Sequence, residues 1–227
     1  MLSDFEQLVT SRESTRAFQD RSVPKELIVN AARVAARAPS NYNTQPWYLR
    51  VVNGERCDRL RRKISDAGRR EEFSLDVPFN GDYQHVYQER QIDHVKRLQD
   101  ALGIARDDEE GRAKIFGRNF EFFDAPAVAF VFMQSQHGLR EAIDVGMFAQ
   151  TFMLALKSSG VDSCPQTALG FHSRLVKDEL KIDDELSLLF GISIGYADKA
   201  SPAASLGMGR ASLDDFFGYE ETAGSSD

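Results

Sequence analysis

The alternation of apolar and polar residues along the chain predicts helices interleaved with a few strands. Three stretches rich in branched and aromatic residues, 47–52, 127–133 and 186–194, predict strands. The spacing or composition of the other ordered segments predicts helices. These helices are 4–10, one that begins at Pro24, one from the end of the first strand to about Arg70, and 83–103, 107–119, 139–158 and 173–180. The strands are too few for a barrel and no repeat is visible, so the fold class is α+β or α/β.

The segment 139–158 predicts the most apolar helix of the chain. Its apolar residues lie on every side of the helix and are Ile143, Val145, Met147, Phe148, Phe152, Met153, Leu154 and Leu156. A helix that is apolar all round is buried all round, which in a chain of this size indicates a subunit contact in addition to a core. The helix after Pro24 instead keeps one apolar side, made of Leu27, Ile28, Ala31, Val34, Ala35 and Ala38.

Composition and charge exclude several classes of protein. The 227 residues are 42% hydrophobic, which is enough for one substantial core. The net charge of -7 argues against a nucleic-acid partner, and the basic run 59–63 is flanked by acidic residues as on a solvated helix face. The longest apolar run, 125–133, is far shorter than the roughly 20 residues of a membrane span. Cys57 and Cys164 form no disulfide framework, so a cytoplasmic protein is expected.

Arg12, Ser14 and Arg16 form an R-x-S-x-R pattern just after the first predicted helix. In an extended stretch these three residues lie on the same side of the chain. Guanidinium groups suit phosphate because their planar fork donates two parallel hydrogen bonds. The alternative is a solvated basic turn, and the spacing alone leaves both open.

Two loops carry polar groups that could face a ligand. Residues 40–45, between Pro39 and Pro46, carry hydroxyl, amide and phenol groups and no charge. This loop either contacts a flat heteroaromatic ring or is an ordinary connection from a helix to a strand. Residues 163–167, Ser-Cys-Pro-Gln-Thr, either point backbone amides into a cavity or form a plain turn.

Other candidate chemistry is weaker. The G-x-S-x-G pattern at 191–195 is predicted to be a buried strand, because a nucleophile elbow needs a helix directly after its serine and a later histidine. His85, His94, His137 and His172 lack metal-ligand spacing and are predicted to be surface or capping residues, with no metal. A Rossmann-type site is not expected, since neither G-x-G-x-x-G nor a Walker A loop occurs.

The two N-terminal motifs, followed by Asp144-Val-Gly-Met-Phe-Ala-Gln and Gly160-Val-Asp-Ser-Cys-Pro-Gln, resemble the nitroreductase family of FMN-dependent oxidoreductases, in particular the branch of nitrobenzoate-type reductases. The resemblance covers most of the chain. It implies an α+β fold with a mixed sheet flanked by helices, in an intertwined homodimer that binds FMN at its interface. Residues 1–227 would form a single domain with a helical excursion at about 71–124.

The same resemblance implies the cofactor-binding residues. Arg12 and Arg210 would hold the FMN phosphate, while Ser14 and Arg16 would hold the ribityl chain and the pyrimidine side of the flavin. The partner subunit's loop would pack on the isoalloxazine through residues matching Pro39, Ser40, Asn41, Asn43 and Gln45, and Pro165, Gln166 and Thr167 would border the ring. Relatives often carry another basic residue shortly before the arginine at 210, where this chain has none in Ser205–Gly209.

The activity implied is electron transfer from NADH or NADPH to a small electron-poor acceptor, a nitroaromatic or a quinone, in a ping-pong cycle. The flavin supplies the redox chemistry, so no catalytic side chain is named. Three alternatives stay open: a reductive dehalogenase or another flavin-linked reductase on the same scaffold, a flavin-binding protein that does not turn over, and a dimeric interaction module without a cofactor.

Overall fold

A four-stranded sheet forms the centre of the fold. The computed structural model describes residues 2–79 and 81–220. The strands are β1 (Tyr48–Asn53), β2 (Ala127–Gln134), β3 (Asp162–Gln166) and β4 (Leu186–Gly195), arranged in the order β1-β2-β4-β3. All three strand pairs are antiparallel, and parallel pairing among the described residues is limited to isolated bridges such as Ser14 with Ser163. The predicted α+β class is confirmed.

Seven helices surround the sheet in the described part of the chain. They are α1 (Asp4–Ser11), α2 (Lys25–Ala35), α3 (Gly54–Arg69), α4 (Val86–Leu102), α5 (Glu109–Gly117), α6 (Leu139–Ser158) and α7 (Ser173–Leu180). The predicted boundaries agree with these to within a few residues. Ser3 and Glu6 form the capping box that starts α1, with reciprocal hydrogen bonds of 2.6 and 3.2 Å. None of the described helices has the length and apolar character needed to cross a membrane.

The strand β3 was not predicted from the sequence, which indicated a loop or turn over 163–167. Its sequence is polar and contains Pro165, a residue that removes a backbone donor from a ladder. Such a strand is tolerated at a sheet edge, and β3 lies at the edge of this sheet beside β4. Of the two alternatives for 163–167, the plain turn is therefore wrong, because edge position overrides local propensity.

The strand β2 is buried on both faces and separates two hydrophobic clusters. Val128, Phe130 and Phe132 point into a cluster that α3 covers, and the alternate residues Ala127, Ala129, Val131 and Met133 point into a cluster with α2 and α6. These two clusters account for the continuous apolar run of β2, since a strand covered on both sides has no polar face.

The helix α6 is only partly covered in one chain. Its buried apolar side chains are Val145, Phe148, Ala149, Phe152, Met153 and Leu156. Leu139, Ile143 and Met147 are exposed, at 79%, 56% and 37% of their surface. On α2, Val34 is exposed and Ala38 lies beyond the helix end, so the predicted apolar side of α2 is narrower than its sequence indicated. The uncovered side of α6 is where the predicted subunit contact would form.

The G-x-S-x-G pattern lies inside β4, as predicted. A Cβ atom on Gly195 would come within 2.8 Å of Phe18 and 2.7 Å of Pro126, so close packing accounts for this glycine. Ser193 is fully buried and donates to the Gln166 side chain, which leaves it no role as a nucleophile.

An irregular segment connects the helical excursion to the core. Within it, the Asp76 carboxylate accepts hydrogen bonds from the Ser173 hydroxyl at 2.8 Å, from the Lys177 ammonium at 3.2 Å and from the Leu188 backbone amide at 2.8 Å. Charge-assisted hydrogen bonds of this kind hold residue 76 against α7 and β4.

Candidate functional site

The arginine-containing stretch after α1 runs in an extended conformation along β3. Ser14 forms a parallel bridge with Ser163, and the Thr15 amide donates to the Ser163 carbonyl at 3.2 Å. Thr15 is buried, while Arg12, Ser14 and Arg16 alternate with it and stay partly accessible. The three residues of the R-x-S-x-R pattern therefore share one side of the stretch, as the sequence predicted.

The guanidinium groups of this stretch lack acidic partners. The Nη1 atom of Arg12 is buried without a hydrogen-bond partner, and Nη1 of Arg16 donates only to the Ser14 carbonyl, at 3.0 Å. Among the described residues, the ion pairs include neither of these arginines nor Arg210. A buried donor without a partner is costly, and an anion bound here would satisfy it.

A cavity of about 240 Å³ brings the C-terminal arginine close to Ser14 and Arg16, and Arg12 is not part of its lining. Its lining consists of Glu13, Ser14, Arg16, His94, Leu206, Gly207, Met208 and Arg210. Arg210 uses its Nη1 on the backbone carbonyls of Met208 and Gly209, at 3.0 and 2.9 Å. The one carboxylate of this lining, on Glu13, accepts a hydrogen bond from the Ser205 hydroxyl. The predicted residues Ser14, Arg16 and Arg210 are therefore close together in a single chain.

The 165–167 segment borders this region at the sheet edge. Pro165 and Thr167 are exposed, whereas Gln166 is buried and its amide donates to the Asn119 carbonyl at 2.9 Å. The preceding Cys164 is buried, which raises the pKa of its thiol to about 11, and the positive charges of Arg16 and Arg12 oppose that rise. The Gln166 side chain therefore lies in the interior, and only backbone atoms and the side chains of Pro165 and Thr167 face outward.

The loop after α2 is held in an unusual conformation. A short turn covers Asn41–Asn43, and Tyr42, Asn43 and Gln45 all have positive φ angles, of 48°, 57° and 49°. The Ser40 hydroxyl accepts from the Gln45 amide at 3.0 Å. Positive φ angles at residues other than glycine are strained, and they persist where surrounding contacts hold the backbone in place, often at ligand sites.

The anchor of this loop is a carboxylate on α6. Asp144 is 5% exposed and accepts a hydrogen bond from the Asn41 amide at 3.0 Å. At the loop's end, Trp47 stacks on Phe148 of α6 with ring centroids 4.9 Å apart. The loop consequently lies beside the exposed side of α6, and Tyr42 is 94% exposed.

One chain does not bring this loop to the arginines. None of the described hydrogen bonds joins residues 39–45 to Arg12, Ser14 or Arg16, and the 240 Å³ cavity contains no residue of the loop. The predicted site residues therefore form two groups within a chain: Arg12, Ser14, Arg16, Pro165, Gln166, Thr167 and Arg210 around the sheet edge, and Pro39, Ser40, Asn41, Asn43 and Gln45 beside α6.

The prediction that all four histidines are surface or capping residues is incomplete for two of them: His172 occupies the N-cap position of α7 but is buried, and His94 is only partly exposed. His94 is partly buried and lines the cavity beside Arg16. Burial lowers its pKa, the charge of Arg16 lowers it further, and Asp93 opposes both. His172 is 1% exposed, with its ring 4.7 Å from that of Phe120 and its pKa lowered by burial. Spacing alone cannot find such residues, because tertiary packing places them.

Asp144 and Asn119 were also missed as supports of the site. The position of Asp144 among the apolar residues of the helix 139–158 was a usable signal, since a buried charge needs a hydrogen-bonded partner. Asn119, which positions Gln166, had no signal in the sequence.

The sheet and its helical cover define an α+β protein with a cavity lined by Arg16 and Arg210. The sequence model described as "Nitroreductase family" matches residues 9–196, which is most of the chain. The chain therefore belongs to the nitroreductase family, and the resemblance found in its sequence is confirmed.

The most similar relatives cover nearly the whole chain. Nitroreductase NfnB of Mycolicibacterium smegmatis is 39% identical over 211 residues, covering 92% of this chain and 90% of that protein. A 4-nitrobenzoate reductase of Pseudomonas putida is 34% identical over 210 residues, covering 92% of each. The crystal structure of the FMN-dependent nitroreductase NfnB from Mycobacterium smegmatis in complex with NADPH aligns with a TM-score of 0.92, covering 96% of this chain and 98% of that one at 38% identity.

Proposed function

We propose that this chain is an FMN-dependent oxidoreductase that passes electrons from NADPH or NADH to nitroaromatic acceptors. The observation that carries the proposal is the partnerless, buried Nη1 of Arg12 beside Ser14 and Arg16, in a chain whose relatives are FMN-dependent nitroreductases. The enzyme class and the cofactors predicted from the sequence agree with what those relatives are named for.

The residues at the sheet edge fit FMN. A phosphate dianion would satisfy the free guanidinium donors of Arg12 and Arg210 by charge-assisted hydrogen bonds. Ser14 would hold the ribityl chain, and Arg16 would lie at the pyrimidine side of the ring. The exposed edge at Pro165 and Thr167 would border the ring with backbone atoms, while Asn119 keeps the Gln166 side chain out of the way.

Bound FMN would supply the redox chemistry, accepting a hydride from the nicotinamide and giving electrons to the acceptor. The chain's own contribution is positional and electrostatic. Arg16 would place a fixed positive charge where negative charge accumulates, which stabilises it without reorganisation. A ping-pong cycle follows if donor and acceptor use the same open side in turn, so that the oxidised donor leaves before the acceptor binds.

A homodimer would complete the site. The loop 39–45 lies next to the exposed Ile143 and Met147 of α6. If a second copy of the chain covered this apolar side of α6, the loop of each chain would lie near the arginines of the other chain. The division into one domain, 1–227, and the cytoplasmic location remain predictions. The cytoplasmic location is predicted because reduced nicotinamide is supplied in the cytoplasm and because both cysteines are buried and free.

The purified protein saturated with FMN tests the function. We expect flavin absorbance that is lost on adding NADPH without oxygen and that returns when 4-nitrobenzoate is added after the excess donor has been removed. The separate success of the two half-reactions is the ping-pong signature. A protein that takes up no FMN would refute the proposal, and one that binds FMN without steady-state NADPH oxidation would be a flavin-binding protein that does not turn over.

Mixing two defective variants tests the shared site. Arg12→Met removes the phosphate ligand, and Asn43→Gly removes an amide from the loop while keeping its φ of 57° unstrained. If each site takes Arg12 from one chain and the loop from the other, random re-association restores about a quarter of the sites. No restoration would show that each chain forms its site alone.

A further inference from the structure

The serine of the G-x-S-x-G pattern has no part in the cofactor assignment, yet it begins a chain of buried hydrogen bonds. Ser193 is fully buried in β4, between Ile192 and Ile194. Its hydroxyl donates to the side-chain oxygen of Gln166, which is 3% exposed. A hydroxyl in so apolar a strand is costly unless it is paired, so the folded protein has to keep this contact.

The register of β3 and β4 brings the two side chains together. Gln166 pairs with Gly191 and Cys164 pairs with Ser193, so Ser193 lies diagonally opposite Gln166 on one face of the sheet. A Cβ atom on Gly191 would come within 2.4 Å of Leu169. The glycine therefore leaves space for the turn that follows β3, and the serine holds the last residue of β3.

The other end of the Gln166 side chain is held by Asn119. The Gln166 side-chain amide donates to the Asn119 backbone carbonyl at 2.9 Å and to the Asn119 side-chain oxygen at 3.3 Å. The Asn119 side-chain amide donates in turn to the Phe116 carbonyl at 3.0 Å. A backbone carbonyl can only accept, so the amide of Gln166 has one orientation, and its oxygen has to accept from Ser193. We call Ser193, Gln166 and Asn119 the Ser193 network.

The Ser193 network holds the point at which β3 ends. The ladder between β3 and β4 stops at Gln166, and a short helical turn begins at Thr167. Pro165 and Thr167, on either side of Gln166, are exposed. The backbone at the end of a strand frays unless further contacts hold it. The network supplies such a contact from the interior, because the Gln166 side chain is hydrogen-bonded at both ends.

We propose that Ser193 is a positioning residue for the flavin ring, which it holds in place through Gln166 and the backbone of residues 165–167. The proposal rests on the proposed function, which puts this exposed edge beside the isoalloxazine, and it deepens that function by naming a residue that is too buried to touch the ring. A rigid edge presents its backbone dipoles to the ring without reorganisation. Ser193 therefore influences both the affinity for the ring and the reduction potential of the bound flavin.

Two flavins distinguish a contact with the ring from a contact with the phosphate. Ser193→Ala removes the donor to Gln166, and FMN and riboflavin share the ring while only FMN carries the phosphate. Fluorescence titrations of the flavin-free protein should therefore show both flavins weakened by the same factor, about 2- to 13-fold for one lost hydrogen bond. The matched control is Ser187→Ala, which removes a β4 hydroxyl that donates to Ser135 at 2.9 Å, and it should weaken neither flavin.

The reduction potential separates positioning from a general loss of stability. Ser193→Ala should change the affinities for oxidised and reduced FMN unequally, by about fivefold, which is a shift of about 20 mV for a two-electron couple. A residue that served folding alone would lower the denaturant midpoint and leave the potential of bound FMN unchanged. Equal potentials in Ser193→Ala and the wild type, unchanged affinities for both flavins, or weakening of FMN alone would each overturn the proposal.

A double variant keeps the test valid if Ser193→Ala folds poorly. Combining Ser193→Ala with Gln166→Met removes the donor and the acceptor together, so residue 166 has no unpaired polar side-chain atom, and the denaturant midpoint should recover toward that of the wild type. The riboflavin affinity and the potential of bound FMN should stay changed, because the hydrogen-bonded hold on the end of β3 is still missing. Recovery of all three quantities together would show a purely structural role.

Failure of this proposal is distinguishable from failure of the proposed function. FMN uptake by the wild-type protein and loss of flavin absorbance with NADPH are measured first, and neither uses a variant. If both occur while Ser193→Ala behaves like Ser187→Ala, only the positioning role is refuted. If the wild type binds no FMN, the proposed function falls. Amide hydrogen exchange over residues 162–171 of the flavin-free protein then still tests the network, since it should be faster in Ser193→Ala than in Ser187→Ala, and equal exchange would refute the hold on the edge.

Discussion

Replacing Arg12 by methionine should separate cofactor binding from folding. Methionine keeps a long apolar stem in the space of the arginine stem, and it removes the guanidinium whose Nη1 is buried without a partner. In the protein without FMN, this change deletes an unsatisfied donor, so the free energy of unfolding should not fall. With FMN, the same change deletes charge-assisted hydrogen bonds worth about 1.5–3 kcal/mol.

That loss corresponds to FMN binding about 10- to 150-fold weaker. At a free FMN concentration of 100 times the wild-type Kd, the wild-type protein gains about 2.7 kcal/mol of stability, and a variant with about 100-fold weaker binding gains about 0.4 kcal/mol. For a chain of this length, these gains correspond to Tm increases of about 5–11 °C for the wild type and below about 2 °C for the variant.

The assay is thermal unfolding with and without FMN, together with a fluorescence titration of FMN. Arg174→Met is the matched control, since Arg174 is exposed on α7 and pairs with Asp178 away from the cavity. The reasoning is refuted if Arg12→Met binds FMN within about threefold of the wild type. It is refuted equally if the variant without FMN loses more than about 2 kcal/mol, because Arg12 would then be a structural residue.

Three further predictions concern the supports of the site. Asp144→Ala leaves the Asn41 amide without its acceptor, so FMN affinity and Tm should both fall, the stability by about 1–3 kcal/mol in thermal unfolding. Gly195→Ala should cost about 1–3 kcal/mol in a denaturant titration, because the new methyl group meets Phe18 at 2.8 Å; an unchanged midpoint would show that the ring can move. Burial raises the pKa of Cys164 to about 11, above its unfolded value, so this thiol favours the folded state up to about pH 9 and that contribution is lost as pH rises toward 11. A thiol reagent should label Cys164 far more slowly in the native protein than in urea at pH 8, and equal rates would contradict its burial.

The sequence predicted the fold class and the local geometry of the arginine motif because those features are local. The R-x-S-x-R stretch needs only an extended backbone to place Arg12, Ser14 and Arg16 on one side, and the structure provides that backbone. Hydrophobic periodicity, capping signals and composition together predicted all seven described helices and three of the four described strands. The resemblance to the family then related the two polar motifs to one cofactor.

What the sequence did not predict depends on tertiary placement. The strand β3 forms because β4 offers it an edge, although its own residues disfavour a strand. His94 and Arg16 line the same cavity although they are far apart in the sequence. Neither relation has a signature in local spacing.

The central claim is that guanidinium groups around Arg12 hold the phosphate of FMN, and comparing FMN with riboflavin tests it most directly. Riboflavin has the same ring and ribityl chain without the phosphate. In fluorescence titrations of the protein freed of flavin, we expect FMN to bind at least about 100-fold more tightly, as two lost charged hydrogen-bonded contacts require. Equal affinities for the two flavins would contradict the account.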